Sequence, residues 1–153
     1  MRNQKKLVVE QLDRKLDLFK GLEKIQIPEK GWINNIRVTL NMTLEQLGHK
    51  LNMTRQGIKK IEERESSGSI SLKSLKEVGK VLDMHFVYGF VPKYGSIEKL
   101  LDIKARELAN KIIQRTNQNM ILENQGNTDE RINQAIEELS NEIKREMRKS
   151  LWD

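Results

Sequence analysis

The chain has 153 residues, enough for one ordinary domain or a small domain with helical extensions, and 33% of it is charged. Two prolines and few aromatics, against many Leu, Ile, Lys, Glu and Gln, favour helices over a sandwich or barrel. The net charge of +6 permits a nucleic-acid partner without requiring one, and the absence of cysteine excludes disulfides, thiolate metal sites and cysteine nucleophiles.

His49 and His85 stand far apart and outside any H-E-x-x-H pattern, so no metal or cofactor is expected. No pair of catalytic carboxylates, nucleophile–base set or phosphate loop can be assembled, and an enzyme is not expected. The longest apolar run, Phe86 to Val91, is too short to span a bilayer, and "MRNQKKLVVEQLDRK" lacks an apolar signal core. The expected location is cytoplasmic.

In chain order, Leu7, Val8, Leu12, Leu16 and Phe19 predict an amphipathic helix from Asn3 to Leu22, closed by Gly21, Pro28 and Gly31. A second helix, from about Trp32 to Leu40, turns Trp32, Ile33, Ile36 and Leu40 inward. Thr43 and Gln46 then fit a capping box, followed by a stripe of Leu44, Leu47 and Leu51 with Gly48 on the same side, where a missing side chain admits another helix.

After a turn at "NM", Thr54 is a second N-cap, and Ile58 and Ile61 give the next helix a buried edge. A fifth helix, about Ser71 to Leu82, sets Leu72, Leu75, Val78 and Leu82 inward. "MHFVYGFVP" predicts a short β-strand, which must pair with something, most simply its copy in a second chain. Helical pattern returns from Ser96 with Ile97, Leu101, Leu108 and Ile112, and from Thr128 with Ile132, Ile136, Leu139, Ile143 and Met147. The Asn- and Gln-rich stretch between them, "RTNQNMILENQGNTD", is expected to be irregular at least in part.

On a wheel of about one hundred degrees per residue, Thr54, Ile58, Ile61 and Glu65 share one side, and Arg55, Gln56, Lys59 and Glu63 the other. A capped helix docked on its predecessor and displaying long polar side chains suits the major groove. Arg55 and Lys59 can pair with guanine, Gln56 with adenine, and Glu63 can accept from cytosine N4. An ordinary helical hairpin with a solvated face is the plain alternative. The capping box, leucine stripe, Gly48, turn and second cap taken together favour the helix-turn-helix.

The stretch resembles the lambda-repressor-like, or Xre-type, helix-turn-helix family. In that family an Arg before the motif pairs with a Glu closing the recognition helix, which implies an Arg37–Glu62 ion pair; Glu62 lies at the edge of the buried face, where a partner is physically expected. The family's phosphate-touching Gln is replaced by Leu44, which shifts the phosphate contacts to Thr43, Lys50, Thr54 and Lys60.

A narrower resemblance rests on "E-x-R-E-x-S-G-x-I-x-L-x-S-L" from Glu62 to Leu75 and on "FVYGFVP". The stretch from Gly31 to Pro92 is similar to mobile mystery protein A, a bacterial Xre-type group found beside a partner carrying a Fic domain. That likeness implies an antitoxin or autorepressor. Fic antitoxins can carry an inhibitory Ser or Thr, three residues, then Glu before Gly or Asn; here Glu123 precedes Asn124, but Asn119 stands where Ser or Thr is wanted. The plain alternative is a loop linking two helices.

The expected fold is therefore mainly α: a lambda-repressor-like core at 29–83, a strand and linker at 84–95, and helical extensions at 1–28 and 96–153. The expected function is a homodimeric regulator of a double-stranded DNA operator, hence nucleoid-associated and without a membrane role. A protein-interaction module that inhibits a partner enzyme without reading DNA is the alternative.

Overall fold

The computed structural model describes residues 2–122 and 128–153. Seven α-helices are described: α1 Arg2–Asp17, α2 Trp32–Thr39, α3 Leu44–Leu51, α4 Arg55–Ser67, α5 Leu72–Val81, α6 Ile97–Leu122 and α7 Asp129–Glu146, with 3-10 turns at Leu22–Lys24 and Lys149–Trp152. They fall into two compact units, Lys24–Tyr88 and Met1–Glu23 with Gly89–Asp153.

In the first of these, α2 to α5 each lend apolar residues to one core of Ile33, Leu47, Ile58, Ile61, Val78 and Leu82. Local sequence delimits the helices. The hydroxyls of Thr43, Thr54 and Ser71 each accept the backbone amide three residues on, at 3.0 to 3.1 Å, and Thr43 completes a capping box with Gln46. Asn52 and Gly68 stop α3 and α4 in the left-handed region, at φ 53° and 82°.

The N-terminus of α2 is closed differently. Gly31, its N-cap, has no side chain to offer, and the Glu65 carboxylate on α4 accepts the amides of Trp32 and Ile33 at 2.9 and 2.8 Å. The φ of 88° favours glycine, and a Cβ on Gly31 would stand 2.7 Å from Glu65 Oε1 and push the capping carboxylate aside.

The second unit is built on α6 and α7, which pack antiparallel around Leu101, Ala105, Ala109, Ile136, Ile143 and Leu151. Ala105 and Ala109, four residues apart and fully buried, let the helices approach. Lys144 near the end of α7 pairs with Asp102 at 2.5 Å and Glu98 at 3.4 Å near the start of α6. Asp13 of α1 caps α6 by accepting the amides of Ile97 and Glu98 at 2.6 and 3.2 Å.

Several sequence expectations change. No β-strand occurs among the described residues; residues 84–90 have no regular structure. A ladder needs a neighbour, and every other described element is helical, so the β-type composition of "MHFVYGFVP" has nothing among the described residues to pair with. Val87 and Phe90 are instead 71% and 81% exposed. Of the Asn-rich run, expected to be irregular at least in part, the stretch up to Leu122 is the helical end of α6, and 123–127 lie outside the described residues.

Some residues expected to face inward are exposed. Leu7, Val8 and Leu12 of α1 are exposed, whereas Leu16 and Phe19 are half-buried as expected and Val9 joins them. Trp32, Leu40, Leu72 and Ile112 are exposed as well. Trp32 and Leu72 open their helices, and Leu40 is a C-cap, where a side chain has no adjacent turn to pack on.

Candidate nucleic-acid interface

The pair α3–α4 is held at a tight turn. Met53 donates its amide to the Gly48 carbonyl at 2.8 Å, and a Cβ on Gly48 would meet the Met53 carbonyl oxygen at 2.6 Å. Only glycine lets the turn fold back on α3 so closely. Gly48→Ala, which in an open helix gains stability, is expected to lose about 1–3 kcal/mol here because the turn must move. Urea unfolding measures it; a gain in stability would show that the contact yields freely.

From that turn, α4 presents two faces. Ile58 and Ile61 enter the core, whereas Arg55, Gln56, Lys59, Lys60 and Glu63 are exposed along the opposite side. Thr54 at its start has its oxygen engaged by the Gly57 amide, which leaves the hydroxyl proton free to donate. Thr43 is placed the same way by the Gln46 amide, while the Gln46 side-chain oxygen accepts from the Thr43 amide and keeps its NH2 available. Thr43 and Arg55 line one surface groove with Arg37, Leu44 and Glu45. Lys50 is exposed on the last turn of α3 and lines a different groove with Leu40, Asn41, Met42, Gln46 and His49.

Beneath the displayed face lies the ion pair. Arg37 Nε donates to Glu62 Oε1 at 2.8 Å and a terminal nitrogen reaches Oε2 at 3.3 Å, with both side chains about nine-tenths buried. Asn34 Nδ2 adds a bond to Glu62 at 3.2 Å, and Arg37 also donates to the Met42 carbonyl at 2.9 Å. Every bond is charge-assisted, and the cluster fixes α4 to α2 and to the α2–α3 turn.

Glu65, which caps α2 one turn further on, was not singled out by sequence beyond its buried side. Its signal was the bare glycine before Trp32, an N-cap with no acceptor of its own. Asn119 is exposed inside α6; Glu123 and Asn124 lie outside the described residues.

A helix docked through a tight turn on its predecessor, with its own N-cap and an outward polar face, defines a helix-turn-helix, a DNA-reading unit. Residues 33–88 match the family model described as Helix-turn-helix, and this stretch is similar to Xre-like helix-turn-helix domains. The match supports a DNA-binding regulator, and the family is regulatory rather than enzymatic. No curated protein and no solved structure matches the chain. Among the described residues no helix is long and apolar enough to cross a membrane.

Proposed function

We propose that the chain is a sequence-specific transcriptional regulator that reads double-stranded DNA with α4 and binds as a homodimer. The observation that carries this reading is the exposed row of Arg55, Gln56, Lys59 and Glu63 on a helix whose other face is locked into the core. Arg55 and Lys59 would take guanine O6 and N7, Gln56 adenine, and Glu63 cytosine N4. Thr43 and Thr54 would donate their free hydroxyl protons to phosphate, with Lys50 and Lys60 as point charges beside them. The unit that contains these residues holds eleven basic against seven acidic side chains, a bias suited to a polyanion.

The dimer rests on Met84, Val87 and Tyr88, consecutive or nearly so and 45%, 71% and 59% exposed at the end of the same unit. Apolar side chains gathered in this way are favourably covered by another copy. Two copies would place their recognition helices for half-sites about one helical turn, roughly 34 Å, apart.

The experiment is binding of the purified chain to DNA from upstream of its own gene, followed by fluorescence anisotropy, with sedimentation on the same sample. Replacing Arg55, Gln56 or Lys59 by Ala is expected to cost about 1–3 kcal/mol each on the cognate site and to relax preference at one base, without loss of thermal stability. Lys50→Ala and Lys60→Ala should weaken all sequences alike and lower the salt slope by about one unit each. Equal loss on random DNA for the α4 set would remove base reading from those residues.

The antitoxin role and a Fic-domain partner rest on the sequence resemblance alone, with Asn119, Glu123 and Asn124 as the inhibitory segment. Copurification with the adjacent gene product, and its retention by Glu123→Gly, separates that role from DNA binding.

A further inference from the structure

The unit built on α1, α6 and α7 contains a groove of about 420 Å³, within the roughly 300–1,000 Å³ range of small-molecule pockets. Its apolar lining comes from Val9, Leu101 and Met147, one residue from α1, one from α6 and one from the C-cap of α7. Val9 and Met147 are half-buried and Leu101 is 4% exposed, so the groove reaches down to the core of the unit.

Charge surrounds that floor unevenly. Lys144 is consumed by Asp102 and Glu98; burial works against its ammonium form, but these two carboxylates outweigh it and raise its pKa. Lys5 Nζ is directed at the Glu146 carbonyl oxygen, 3.2 Å away. Lys6 and Arg145, which also line the groove, make no hydrogen bond or ion pair with any described residue, and the acids that line it are Glu10 and Glu98. The rim therefore has a small cationic excess over an apolar floor. Glu10 and Glu98 oppose a ligand with several negative charges, while one carboxylate or sulfonate can take the unengaged Arg145 fork and Lys6 together.

We propose that this groove binds a small apolar monoanion, an alkyl or aryl carboxylate or sulfonate, with its body on Val9, Leu101 and Met147 and its charge on Lys6 and Arg145. The proposal is independent of DNA reading, since none of these residues belongs to the helix-turn-helix stretch.

The test uses the full chain with methyl-labelled methionine and three probes of equal length: octanoate, octylammonium and octanol. Octanoate at millimolar concentration is expected to give a saturable shift of the Met147 methyl resonance, with octanol weaker and octylammonium without effect. Lys6→Glu combined with Arg145→Glu, both at exposed positions, should lower octanoate affinity at least about tenfold while the other methionine resonances keep their positions. Three results would each overturn the proposal: no saturable Met147 shift, equal binding of octanoate and octylammonium, or unchanged octanoate affinity in a folded double variant.

Discussion

Glu62→Ala is expected to destabilise the helix-turn-helix unit by about 3–5 kcal/mol, the largest loss from any single polar substitution in it. The Arg37 side chain is 12% exposed, and without Glu62 its guanidinium keeps only the Met42 carbonyl as a hydrogen-bond acceptor. Asn34 loses its acceptor at the same time. The cost is that of a buried charge left unpaired, not the net worth of the pair, so removing both partners should recover much of it: Arg37→Met with Glu62→Leu is expected to be clearly more stable than Glu62→Ala. Denaturant unfolding of the three proteins measures this. A loss below about 1 kcal/mol for Glu62→Ala would mean that the pair behaves as a solvated surface bridge.

Ile58→Ala should cost about 2–5 kcal/mol, while Lys59→Ala, one residue along the same helix, should stay within about 0.5 kcal/mol. Ile58 is fully buried and packs among Ile33, Leu47 and Val78, so truncation leaves a cavity that α2, α3 and α5 must fill or tolerate. Lys59 touches water. The DNA result should be the reverse: Lys59→Ala weakens the cognate complex at full stability, and Ile58→Ala weakens it in proportion to the unfolded fraction. If the two substitutions cost the same stability, the division of α4 into a packing face and a reading face is wrong.

These two predictions depend on information of different range. The caps at Thr43, Thr54 and Ser71 were legible because a hydroxyl and an amide three residues apart find each other within one turn. Ile58 and Ile61 were legible because helical spacing puts them on one edge, and the outward set Arg55, Gln56, Lys59 and Glu63 followed from the same wheel. The Arg37–Glu62 pair needed the family resemblance to name Arg37; the wheel alone asked only that Glu62 have some partner.

By itself, then, the sequence determined the helices of the helix-turn-helix unit, their caps and the residues α4 displays, since each depends on neighbours within about four positions. Tertiary structure decided what lies beyond that reach. Glu65 caps α2 from 33 residues away and Asp13 caps α6 from 84 away, and no local pattern says which carboxylate will arrive at which helix end. The same holds for "MHFVYGFVP": its composition favours a strand, but a strand exists only beside another, and the chain supplies helices. It holds in the opposite sense for the Asn-rich end of α6, where helix continues despite weak propensity: lengthening a helix that already exists carries no nucleation cost, and each polar residue disfavours it by only roughly a few tenths of a kcal/mol.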